Sequence, residues 1–179
     1  MVINFRIMGL IIVAIAGLFF LFVAIRTNNK KKEIHKATSI KDIVMSVNHG
    51  RIYPFYTRMN LTRVKGVVSK INPDTTRFEQ DMQMQKLMGI APFFDMPISN
   101  NYIERVSVTL SRKGLVSSIG VDIKNFDINM KPLINEMVVK FGRPCSMDEE
   151  FIIWREGYMV INIHKGGSLS VIDESIFGN

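Results

Sequence analysis

Residues 103–123 read IERVSVTLSRKGLVSSIGVDI, and the reading of this stretch decides the fold. Val106, Val108 and Leu110 alternate with polar residues. Ser111-Arg112-Lys113-Gly114 makes a turn, and Leu115, Ile119, Val121 and Ile123 return to alternation. A period of two on both sides of a short turn is a β-hairpin with one buried face. Toward the C-terminus, Asn129 is placed to cap a helix with Pro132 in its first turn, where a missing N–H does no harm. Leu133, Ile134, Met137, Val138 and Phe141 share one face of that helix, and Gly142 and Pro144 stop it. Phe151–Trp154, Tyr158–His164 and Leu169–Ile172 follow as three strands, with turns at Arg155-Glu156-Gly157 and Lys165-Gly166-Gly167. The order is β-β-α-β-β-β. Such short turns make neighbouring strands antiparallel. A helix laid over the apolar face of that sheet gives an α+β domain of two layers, with the earlier helices packed beside it.

Upstream, Ile40, Ile43, Val44 and Val47 fall at helical spacing behind Ser39, an N-cap with Asp42 three residues on. Gly50 is expected near the C′ position of that helix. Tyr53-Pro54-Phe55-Tyr56 is an aromatic segment. Asn60 opens a second helix carrying Leu61, Val64, Val67, Val68 and Ile71, and Asn72-Pro73 ends it. Residues 75–90 are ambiguous, because Phe78, Met82, Met84, Leu87 and Met88 fit neither period. Residues 91–97, bounded by Pro92 and Pro97, read as loop.

At the other end, Ile7 to Ile25 is IMGLIIVAIAGLFFLFVAI, 19 residues without a charge. As a helix it would be about 28 Å long, close to the hydrocarbon thickness of a bilayer. A cleaved signal peptide would have a shorter apolar region and a small-x-small site. This run ends in Ile25-Arg26 instead. The expected organisation is a single-pass anchor with a basic collar over residues 1–37 and a soluble α+β domain over 38–179. The bilayer is then one partner, through Ile7 to Ile25, and the location is an inner membrane. Arg26 and Lys30 to Lys32 favour a cytoplasmic body by the positive-inside rule. The short N-terminus ahead of the run has the layout of a signal-anchor, which favours the periplasm. Both sides stay open.

The charge of +7 is concentrated, not spread. Residues 26–41 alone carry +5, residues 42–72 carry +4, and residues 73–179 carry −3. A body this close to neutral argues against nucleic acid as a partner. One cysteine excludes an internal disulfide framework and a cysteine-based zinc site. Cys145 follows a helix C-terminus, where the dipole disfavours a thiolate, so it reads as an inert, partly buried thiol. His35, His49 and His164 have no metal-ligand spacing. No phosphate loop, nucleophile elbow or catalytic triad context occurs. The expectation is therefore a protein without enzymatic activity, cofactor or metal.

The partner-binding candidates are apolar or acidic. Met82, Met84 and Met88 form a methionine-rich patch, suited to irregular cores or to adaptable binding surfaces. Phe93 and Phe94 sit between prolines, and aromatic residues dominate interface hot spots. Asp148, Glu149 and Glu150 offer a rim contact for a basic partner.

The helix ending Phe141-Gly142-Arg143-Pro144, followed by a strand pair carrying Trp154, resembles small bacterial envelope domains of the SmpA/OmlA and beta-lactamase-inhibitor-protein types. Asn60-Leu61-Thr62-Arg63-Val64 resembles the opening of their helices, although Asn72-Pro73 replaces the family's Gly-x-Pro ending and the lipoprotein cysteine is absent. The resemblance spans residues 58–173. It implies helices laid across an antiparallel sheet and a role in binding other proteins. Small anchored domains of this kind also serve as immunity proteins against secreted toxins. The expected function is thus a membrane-anchored inhibitor or immunity protein acting on a toxin or effector. The alternative is a structural subunit of an envelope or secretion assembly.

Overall fold

The structure, a computed structural model, describes residues 32–177. Ile7–Ile25 and the collar up to Lys31 lie outside them. Among the described residues, no helix is long and apolar enough to cross a membrane. The packed body begins earlier than residue 38. Ile34 and Ala37 are already in the core, and the Ile34 N–H donates to the Tyr53 carbonyl at 2.7 Å.

A 3-10 turn (Ile34–Lys36) leads into helix α1 (Ile40–Ser46). Three two-residue strands follow: β1 (Val47–Asn48), β2 (Arg51–Ile52) and β3 (Phe55–Tyr56), paired in that order as a small antiparallel sheet. Helices α2 (Leu61–Ile71) and α3 (Thr76–Leu87) come next, then β4 (Phe93–Pro97), β5 (Ile103–Leu110) and β6 (Val116–Ile123). Helix α4 (Phe126–Phe141) crosses to β7 (Ser146–Met147), β8 (Phe151–Glu156), β9 (Met159–His164) and β10 (Ser168–Asp173), and the short α5 (Glu174–Phe177) follows. The large sheet has the order β4-β5-β6-β10-β9-β8-β7, and every pairing is antiparallel. The protein is thus α+β, as the alternating stretches imply.

The register explains why this sheet holds together. Met96, Val106, Val121, Leu169, Ile163 and Ile152 pair in one continuous row across six strands. Phe94, Val108, Ile119, Val171, Ile161 and Trp154 form a second row. All twelve are buried. The row between them runs Asp95, Ser107, Gly120, Ser170, Asn162 and Ile153, and none of these is buried. Alternation along each strand has become one apolar and one mostly polar face. Phe126, Leu133 and Met137 of α4, Ile40, Ile43 and Val44 of α1, and Val64 and Val68 of α2 join the same core as the two rows. Lys140 of α4 ties the helices together. Its Nζ donates to the carbonyls of Val44 (2.8 Å) and Val47 at the C-terminal end of α1. A cation there also complements the helix dipole. Burial pushes its pKa down.

Several sequence expectations shift. Helix α1 is capped by Ser39, whose Oγ accepts from the Asp42 N–H, but it runs directly into β1. Gly50 therefore serves the β1–β2 turn, at φ +75°, and not a helix C′ position. Helix α4 begins at Phe126, not Asn129, and Pro132 lies in its second turn. Proline there leaves the Ile128 carbonyl without its helical donor, on an exposed residue. Residues 75–90 resolve into α3, and residues 93–97, read as loop, form the edge strand β4.

Candidate functional site

The partner-binding residues proposed from sequence divide between the two ends of the large sheet. Helix α3 has two apolar stripes. Phe78 and Met82 turn inward, where Phe78 meets Phe94 edge-on at 4.9 Å between ring centres. Gln85 continues that inner stripe and is also buried. Its Nε2 donates to the Phe93 carbonyl at 2.8 Å, and its Oε1 accepts from the Phe93 N–H at 2.6 Å. One glutamine side chain thereby stands in for a neighbouring strand.

That clamp shapes the sheet edge. Pro92 and Ile98 bond their backbones to β5, so Phe93, Asp95 and Pro97 direct theirs away from it. Gln85 occupies Phe93, Pro97 has no N–H, and Asp95 carries a charge. An edge blunted in this way resists pairing with another strand. The side chains beside it are a different matter. Met84 (59% exposed), Leu87 (79%), Met88 (57%), Ile90 (49%) and Phe93 (47%) are exposed apolar residues that follow one another along the end of α3 and the start of β4, here called the ridge. Met84, Met88 and Phe93 are therefore surface groups, whereas Met82 and Phe94 belong to the core.

Asp148, Glu149 and Glu150 lie between β7 and β8, at the opposite edge. Five to six strand spacings separate the two edges, roughly 24 to 29 Å at about 4.8 Å each. The acidic trio and the apolar ridge do not converge. Asp148 itself closes a turn: its Oδ1 accepts from the N–H groups of Phe151 (2.7 Å) and Glu150 (2.8 Å), and these bonds hold its pKa down. Glu149 and Glu150 are exposed.

The histidines are dispersed. His49 Nε2 sits 3.2 Å from Glu156, His35 Nε2 sits 3.5 Å from Glu33, and His164 Nδ1 accepts from the Gly166 N–H at 3.2 Å. Among the described residues, no group of three or more His, Cys, Asp or Glu side chains could hold a metal ion. Cys145 is exposed, where a partly buried thiol was expected, and its Sγ donates to the Ile153 carbonyl at 3.2 Å.

Sequence reasoning missed two polar features. The first is Asp173, fully buried at the end of β10. Arg58 Nε reaches its Oδ2 at 2.7 Å, and Ser175 Oγ and N–H bond its Oδ1 at 2.5 and 3.1 Å. Burial pushes the Asp173 carboxyl up, but these partners outweigh it and the pKa is lowered. Arg58 sits at φ +65°, in the left-handed region. No local pattern advertises a pair 115 residues apart.

The second is an open cleft of about 530 Å³ between the 3-10 turn, the Tyr53–Tyr56 segment and α2. Glu33, Lys36, Arg63 and Lys70 supply its charges, and Tyr53, Tyr56, Met59 and Val67 its less polar wall. Lys36 Nζ pairs with Glu33 at 2.5 Å, and Arg63 donates to the Tyr56 hydroxyl at 2.7 Å. Burial pushes the His35 pKa down. Compared with family models, curated protein sequences and solved structures, the chain matches none.

Proposed function

We propose that this protein is a membrane-anchored, non-enzymatic binding module that neutralises a partner protein at the bacterial envelope, as an inhibitor or immunity protein does. The observation that carries the reading is the ridge of Met84, Leu87, Met88, Ile90 and Phe93. Five exposed apolar side chains within ten residues of sequence favour contact with another macromolecule. Two of the five are methionines, which adapt to a partner's shape, and Phe93 is an aromatic anchor. The blunted β4 edge makes this a side-chain interface rather than strand addition. The uncharged run Ile7–Ile25 supports the anchoring, and a tether raises the local concentration of the ridge at the membrane.

The test is photocrosslinking in intact cells with the full-length chain. A photoreactive residue at Leu87 should give one defined protein adduct, and one at Tyr158, also well exposed, should give none. Identical adducts at both positions, or none at Leu87, would overturn the reading. Replacing Ile7–Ile25 with an unrelated apolar span should leave the Leu87 adduct intact. Loss of the adduct would point to an assembly subunit whose anchor makes contacts of its own.

A further inference from the structure

The cleft beside α2 lies apart from the ridge in sequence, and its chemistry is different. We infer that it takes a phosphoryl group, the dianionic head of a phosphomonoester, whether free in solution or carried by a lipid.

Charge is the first ground. Lys36, Arg63 and Lys70 line the cleft against a single carboxylate, Glu33. Glu33 is already engaged by Lys36, and Lys70 adds only a longer-range attraction to it, so three cations face one carboxylate. Arg63 is steadied by a phenol oxygen, and Lys70 reaches no described carboxylate more closely than the Glu33 that Lys36 already holds. An excess of two positive charges matches a phosphate dianion. The guanidinium fork offers paired donors, and the ammonium supplies a point charge.

The second ground is Gly66. Arg63, Gly66, Val67 and Lys70 occupy one face of α2, at helical spacing, and all four line the cleft. Glycine within a helix costs about 1 kcal/mol relative to alanine. No close packing demands it here, since a Cβ on Gly66 would meet nothing within 4 Å. What the missing side chain does is keep the wall between Arg63 and Lys70 bare. The volume, about 530 Å³, is that of a small-ligand site.

The experiment uses the full-length chain in nanodiscs of neutral phosphatidylcholine, titrated calorimetrically with inorganic phosphate and with glycerol 3-phosphate. A parallel series contains phosphatidic acid, and its binding is read as a rise in melting temperature. Saturable binding is expected in at least one series. Soluble ligands acting alone identify a free phosphomonoester, and phosphatidic acid acting alone identifies a lipid head. Arg63→Gln with Lys70→Gln should weaken that binding at least tenfold. Gly66→Leu should weaken it as much while keeping both charges and without lowering the melting temperature in ligand-free discs. Lys113→Gln, in the exposed β5–β6 turn, should change nothing. No saturable binding in either series would overturn the inference. So would binding that survives Gly66→Leu, because the basic collar would then be supplying the attraction.

Discussion

At the centre of the large sheet, each apolar side chain has an apolar partner on both flanking strands. Val171 lies between Ile119 and Ile161, and Leu169 between Val121 and Ile163. At the β4 margin, strand pairing exists on one side only, and α3 covers the other. There the apolar side chains face two ways: Phe78, Met82 and Phe94 inward, and Leu87, Met88 and Phe93 outward. The difference teaches what an edge makes possible. Residues held between two strands are committed to the core, whereas residues on a covered edge leave a second apolar surface free for a partner.

The strongest way to break this comparison is at its centre. Ile161→Ala removes a fully buried side chain flanked by Val171 and Trp154. It should cost about 4 kcal/mol, the upper part of the range for such truncations, because a paired row cannot collapse into the space left. Urea unfolding followed by tryptophan fluorescence measures it, with Trp154 as the only reporter. A loss below about 1 kcal/mol would show that the rows are not the cooperative unit.

Next comes Asp173, the one charged residue buried among the described residues. Asp173→Asn keeps the shape but loses the charge that draws Arg58 and Ser175, and should cost about 2 to 3 kcal/mol. Because the folded carboxyl is held below its ordinary value of 3.8, its contribution is fully present above that pH. The contribution is lost as pH falls from there toward the lowered value. Unfolding curves of the natural protein between pH 6 and 2 should therefore show a fall in stability that is shallower in the Asn variant. Parallel curves would remove Asp173 from the acid response.

The same contrast explains what could be read in advance. The hairpin at 103–123, the helix over Leu133–Phe141 and the strands near 151–172 were legible because every second or every third-and-fourth residue answers to a single core. Helix α3 was not, since inner and outer stripes together erase any one period. Strand β4 hid behind Pro92 and Pro97, prolines that an edge strand tolerates and a central strand does not. At the candidate site, Met84, Met88 and Phe93 are exposed, whereas their neighbours Met82 and Phe94 serve the core. Burial alone separates them. The cleft was foreshadowed only as an excess of positive charge over residues 42–72, because its walls come from three separate segments.

Two smaller perturbations sharpen the margin. Gln85→Ala deletes both bonds to the Phe93 backbone and should cost about 2 kcal/mol. Its hydrogen-exchange signature should be local: faster exchange at Phe93 and along α3, with β6, β9 and β10 unchanged. Exchange that spreads through the central strands would show margin and centre to be one unit. Leu87→Ser has the smallest expected effect on folding, within about 0.5 kcal/mol, because the side chain is exposed and has little packing to lose. It is also the variant that separates stability from function. If the ridge is an interface, Leu87→Ser leaves the melting temperature in place and abolishes partner capture. A variant that melted several degrees lower would reassign Leu87 to the core. One that melted normally and still captured its partner would leave the outward stripe of α3 without a role.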